Sequence, residues 1–180
     1  MIRMKNTLLL LLLAFSCSFS FGQSNSFPLK NEDFSTLLMN DGTPFHGIIS
    51  SDEKVIKFRI QNAAKNSEKQ EQYLVSGYSD VDGTVTDFSG EITFTQKYNV
   101  KDLPDEMLVF GDFIMKEAGS GEHSGIFTGK LRIQTLKKVS KDSKGGVTFK
   151  GKWKNHAGNL DFDAWWANFV PTDISKVVFK

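Results

Sequence analysis

The sequence predicts an all-β protein, an up-and-down antiparallel barrel of about eight to ten strands, with a β-sandwich as the alternative. Three observations carry that expectation. Apolar and polar residues alternate with period two in one segment after another, the mark of a strand with one dry face. Turn chemistry separates those segments. A repeated aromatic-x-glycine pair supplies the bends that a closed sheet needs.

The strands follow in order. Asn40-Asp41-Gly42 turns a weak strand, Ser35 to Met39, into Pro44 to Ser50. Val55, Lys57 and Arg59 face one way in the next strand, and Ile56, Phe58 and Ile60 the other. The polar stretch from Gln61 to Gln72 reads as a long loop or a short solvated helical turn. Tyr73 to Ser79, Thr84 to Thr95, Met107 to Glu117, Gly125 to Leu136 and Val147 to Lys154 are strands, followed by Leu160 to Phe169 and Ile174 to Phe179. Asp82-Gly83, Gly119-Ser120-Gly121, Gly145-Gly146 and Ala157-Gly158-Asn159 are the intervening turns. No segment carries a sustained helical stripe.

Phe45-His46-Gly47, Phe88-Ser89-Gly90, Phe127-Thr128-Gly129 and Phe149-Lys150-Gly151 repeat one pattern. Residues two apart share a strand face, so each glycine sits beside its phenylalanine. A glycine there lets the strand coil sharply, which favours the barrel over the sandwich. One hairpin is legible residue by residue. Pairing Lys154 with Asp161 also sets Lys152 against Asp163, Trp153 against Phe162 and Phe149 against Trp166. Opposite charges then meet on one face and aromatics on the other. Each such pair contributes about 0.2–1 kcal/mol, and a one-residue slip destroys both sets.

The first 22 residues have another destiny. Arg3 and Lys5, the leucine run Leu8 to Leu13, and Ser20 and Gly22 form the three parts of a secretory signal peptide, with cleavage expected after Gly22. The apolar run is short for a membrane span, which takes about 20 residues. The chain is therefore expected to be exported, to the periplasm or the exterior. The expected organisation is a signal at 1–22, an N-terminal arm at 23–43 and a barrel at 44–180. Cys17 is the only cysteine. It leaves the mature domain without disulfides, and it offers the alternative of a lipoprotein anchored at that residue.

With Arg3 and Lys5 removed, 20 basic residues face 21 acidic ones, a net charge of about −1. Such a chain is not built for nucleic acid.

Small exported bacterial proteins of lipocalin-like type share a signal peptide, successive strands opening on aromatic-x-glycine, and a late Gly-x-Trp. Gly151-Lys152-Trp153 supplies the last, and Glu117 with Ser124-Gly125-Ile126-Phe127-Thr128-Gly129 is similar to the hairpin before it. The chain resembles that group from about Thr43 to Phe169. The resemblance implies a barrel, and it does not carry catalytic residues with it.

Chemistry-bearing residues are few. His46, His123 and His156 are the only histidines, with no two at ligand spacing, so no metal or cofactor is expected. Ser79-Asp80-Val81-Asp82-Gly83 lacks the terminal carboxylates of a calcium loop and reads as a turn. Glu117, Ser120, Glu122, His123 and Ser124 crowd one turn, yet neither serine stands in a Gly-x-Ser-x-Gly elbow. No catalytic residue is assigned. Lys130, Arg132, Lys150, Lys152 and Lys154 form a basic face open to an anion or an acidic partner, or simply solvated. Trp165 points outward, toward a sugar or partner or under cover of the arm around Phe27 and Phe34. The expected function is non-enzymatic: a barrel binding a small apolar ligand or a protein partner. Phe127, Phe149, Trp153, Phe162 and Trp166 form its inward wall. The alternative is a filled barrel acting as a surface interaction or inhibitor protein through its loops and basic face.

Overall fold

The computed structural model describes residues 31–169. Eight antiparallel strands follow one another in chain order around a closed barrel. They are β1 (Phe45–Ile49), β2 (Lys54–Lys65), β3 (Gln72–Val81), β4 (Thr84–Val100), β5 (Leu103–Glu117), β6 (Gly125–Leu136), β7 (Gly145–Asn155) and β8 (Asp161–Ala167). The ring closes where β1 meets β8, with His46 opposite Ala167 and Ile49 opposite Ala164. Closure leaves no strand edge unpaired, the condition that period-two strands with short turns satisfy most directly.

The turn residues do what their chemistry allows. Asp82 and Gly83 both take positive φ, 50° and 88°, the geometry of a two-residue hairpin turn whose twist matches its strands. The β7–β8 register is the one read from the sequence: Lys154 opposite Asp161, Trp153 opposite Phe162, Lys152 opposite Asp163 and Phe149 opposite Trp166.

Three segments differ from expectation, each for a physical reason. Ser35–Met39 is a short helix, α1, rather than a strand. Phe34, Leu37 and Leu38 are all buried, and that i, i+3, i+4 spacing gathers them on one helical face where a strand would split Leu37 from Leu38. Asn40 ends the helix in the left-handed region at φ 50°. Gln61 to Lys65 belongs to β2, not to a loop, because a bulge between Ile60 and Asn62 shifts the strand's phase. Ile60 and Ala63 are both buried across it, so the alternation that marks a strand is masked there. Gly145-Gly146 opens β7 instead of forming a turn, paired with Thr135 and Gln134. The signal peptide, Cys17, Phe27 and the expected strand Ile174 to Phe179 lie outside the described residues.

The middle of the barrel is filled by aromatic rings. Trp166, fully buried, is stacked between Phe58 at 4.4 Å and Phe149 at 5.3 Å, while Phe127 and Phe113 approach it at 5.4 and 5.5 Å. The strands can wrap this plug because small residues sit beside the rings. Gly129 faces Gly151 across β6 and β7, and a Cβ on either would come within 2.3 or 2.0 Å of a carbonyl oxygen of the neighbouring strand. Only glycine permits that approach.

One end of the barrel is stoppered by α1. Phe34 packs against Phe94 at 4.8 Å, and its N–H donates to the Tyr73 hydroxyl at 3.0 Å. Lys65 Nζ donates to the Glu32 carbonyl at 2.6 Å, and Arg59 Nη1 donates to the Met39 carbonyl at 3.0 Å.

Candidate functional site

The other end is open. The β1–β2, β3–β4, β5–β6 and β7–β8 turns surround a cavity of about 260 Å³. Its apolar lining is Ile49, Val81, Phe127, Trp153, Leu160 and Phe162. Its polar lining is Ser50, Lys54, Ser79, Asp82, Thr84, Thr86, Glu117 and His123.

Glu117 is the chemical centre of this cavity. Phe113, Met115 and Glu117 share the inward face of β5, so the alternation that buries two core residues buries the carboxylate too. Glu117 is 4% exposed. The Ser79 hydroxyl donates to its Oε1. Trp153 Nε1 donates to Oε2 at 2.7 Å, and the Gly125 N–H donates to the same oxygen at 2.9 Å. His156 Nε2 lies 3.2 Å from the Glu117 carbonyl. A carbonyl can only accept, so that contact places the proton on Nε2.

Every donor to this carboxylate is neutral, and no ion pair to Glu117 exists among the described residues. A buried carboxylate commonly has a cationic partner, because leaving water costs the charged form heavily. Here neutral hydrogen bonds alone hold it. Their arrangement also orients the site: the bond from Trp153 fixes the indole, which lies parallel to Phe162 at 5.8 Å.

The residues expected to form an inward wall divide into two groups. Phe127, Trp153 and Phe162 line the cavity. Phe149 and Trp166 sit below it in the filled aromatic core, where Trp166 Nε1 has no hydrogen-bond partner among the described residues.

Glu117 and Ser79 were legible in principle. The β5 pattern puts position 117 on the dry side with Phe113 and Met115, and the β3 pattern puts Ser79 there with Tyr73 and Val75. Two polar residues in inward phase at the same end of a barrel mark a site; grouping Glu117 with the polar turn that follows conceals it.

The histidines do not converge. His46 is exposed on β1, while His123 and His156 stand at the mouth. No group of three or more His, Cys, Asp or Glu side chains is placed to hold a metal among the described residues. The basic face is partly neutralised: Lys130 pairs with Asp112, and Lys152 with Asp161 at 3.1 Å and Asp163 at 3.4 Å. Hydrogen bonds to those aspartates push the Lys152 ammonium above its ordinary pKa. Arg132, Lys150 and Lys154 are exposed and form no ion pair among the described residues. Trp165 is half-buried and stands between Ile48 and Lys150. Phe34 does not reach over it, being buried in the stoppered end against Tyr73 and Phe94. No described helix is long and apolar enough to cross a membrane.

Compared with known proteins, the chain matches no family model, no curated protein and no solved structure.

Proposed function

We propose that this protein is an exported, non-enzymatic barrel of lipocalin-like type that binds one small molecule in its open mouth. The observation that carries the reading is the cavity of about 260 Å³ with a buried carboxylate in its wall. That volume sits just under the usual range for small-molecule sites of about 300–1,000 Å³. An apolar lining broken by a few fixed polar groups is the ordinary composition of such a site. Because the aromatic plug fills the barrel below, the ligand enters only as far as Phe127 and Trp153.

Binding is favoured over catalysis by the state of Glu117. Three hydrogen bonds fix this carboxylate in place as a recognition group, with one acceptor position on Oε1 left for a ligand's donor. Ser79 has no imidazole to activate it; its hydroxyl is spent on Glu117.

Native mass spectrometry of protein purified without detergent from its own source tests the reading. The wild type is expected to carry a discrete mass that is lost on denaturation. Val81→Trp, which fills the mouth from β3, is expected to carry none. The same adduct retained by the filled variant would overturn the proposal.

A further inference from the structure

We propose that the mouth cavity selects a small organic cation, an amine with a compact apolar body whose ammonium group sits against Glu117. The inference rests on the reading of the mouth as a ligand site and names the chemistry that site would take.

Charge accounting leads to it. Glu117 is buried, and its three donors are a hydroxyl, an indole and a backbone amide, none of which carries charge. At the rim, exposed Lys54 and Asp82 offset one another and the exposed His123 counts as neutral in the formal charge, which leaves the carboxylate as the remaining formal charge of the cavity. A cation placed beside it inside a low-dielectric wall gains far more than the same contact in water. An anionic head in that place would meet a like charge and lose its own hydration, so a fatty acid does not fit head-inward.

Lone-pair accounting agrees. An ionised carboxylate offers about four acceptor positions. Oε2 takes two donors and Oε1 takes one, so the open position is on Oε1, beside Ser79. An ammonium brings three N–H donors. Glu117 accepts one, and the hydroxyls of Ser79, Thr84 and Thr86 in the same lining are acceptors for the others.

The aromatic wall fits the same ligand. Trp153, Phe127 and Phe162 present rings to the cavity, and a cation over a ring face is attracted by its quadrupole. The indole cannot swing away, because its N–H is held by Glu117. Size sets the body. A dry cavity of about 150 Å³ admits benzene, so one of about 260 Å³ takes a single ring with a short amine arm.

Three compounds of one shape test the proposal: phenethylamine, phenethyl alcohol and hydrocinnamate, which differ in the charge of the head. Calorimetric titration at neutral pH is run on the wild type, on Val81→Trp and on Glu117→Gln. Glutamine keeps an acceptor for Trp153 and Gly125 while removing the charge. The wild type is expected to bind the amine at least about tenfold tighter than the alcohol, the scale of one charge-assisted hydrogen bond, with the acid weakest. In Glu117→Gln the amine's advantage is expected to vanish while alcohol binding persists. Val81→Trp is expected to lose all three. If the alcohol or the acid binds the wild type as tightly as the amine, the cation inference falls and the mouth remains a ligand site. If none of the three binds at millimolar concentration, both fall. Should Glu117→Gln not fold, the order of the three compounds on the wild type decides the matter alone.

Discussion

The two ends of this barrel solve one problem in opposite ways. At the closed end the chain supplies its own plug: Phe34, Leu37 and Leu38 enter the barrel, and Tyr73, Lys65 and Arg59 satisfy the backbone groups that come with them. At the open end the inward positions of β3 and β5 turn polar, at Ser79 and Glu117, and they form part of a cavity wall rather than packing against a plug. The aromatic stack around Trp166 separates the two. Large buried apolar side chains fill the stopper and the stack, while the mouth places hydrogen-bonded polar groups on inward positions. Buried polar groups held without a counter-charge are a cost to the fold, and proteins keep such costs where function needs them.

The sharpest break of that comparison comes from the stopper. Leu38 is fully buried, and Leu38→Ala is expected to destabilise the protein by about 3 kcal/mol, within the 2–5 kcal/mol span of buried leucine truncations. Denaturant unfolding measures it. Ligand binding at the mouth should be unchanged at temperatures where the variant stays folded. A loss below about 1 kcal/mol would mean that the plug is not the anchor described here.

A second effect is specific to Tyr73. Burial pushes its phenol from the ordinary 10.0 up to about 12, and the nearby charges of Asp33 and Glu32 add to the rise. The folded state therefore favours the neutral phenol. The stabilisation is complete below pH 10, where the phenol is neutral in both states. It is lost as the pH rises from 10 through 12, where only the unfolded chain ionises freely. With partial solvation discounted, the contribution lost is on the order of 2 kcal/mol or less. Lysines also titrate in that range, so the comparison is made with Tyr73→Phe, measured by unfolding at each pH. The variant is expected to fall less steeply between pH 10 and 12. Equal slopes would place Tyr73 in contact with water and open the closed end.

The same division explains what could be read from sequence. The barrel was legible because strand alternation, turn residues and the Phe-x-Gly pairs all act locally. The β7–β8 register was legible because Lys152, Lys154, Asp161 and Asp163 sort against Trp153 and Phe162 on opposite faces. The stopper was not legible as a helix. Five residues give too little period to tell Ser35–Met39 from a strand, and only the barrel interior makes burial of both Leu37 and Leu38 worthwhile. The bulge at Gln61 hid the end of β2 for a related reason, since one inserted residue inverts the phase that defines a strand. The candidate site was half legible: Phe127, Trp153 and Phe162 line the mouth, whereas Phe149 and Trp166 share their inward phase one level deeper. Period two tells inside from outside; it does not tell depth along the barrel.

The smallest expected effect is at Glu117, and it separates the two ends most directly. Glu117→Gln removes a buried charge and leaves an amide of nearly the same shape. Its oxygen can still accept from Trp153 and Gly125, and its NH₂ can donate to Ser79, whose hydroxyl then turns to the Thr86 carbonyl it already approaches at 3.4 Å. Hydrogen bonds to a neutral acceptor are weaker than those to a carboxylate, which lowers stability. Relief of the desolvated charge raises it. The two oppose each other, so the net change in unfolding free energy is expected to stay within about 1 kcal/mol of the wild type. If Glu117→Gln instead costs as much as Leu38→Ala, the carboxylate is a structural post of the β3–β5–β7 wall, and the mouth is held together by the same logic as the plug.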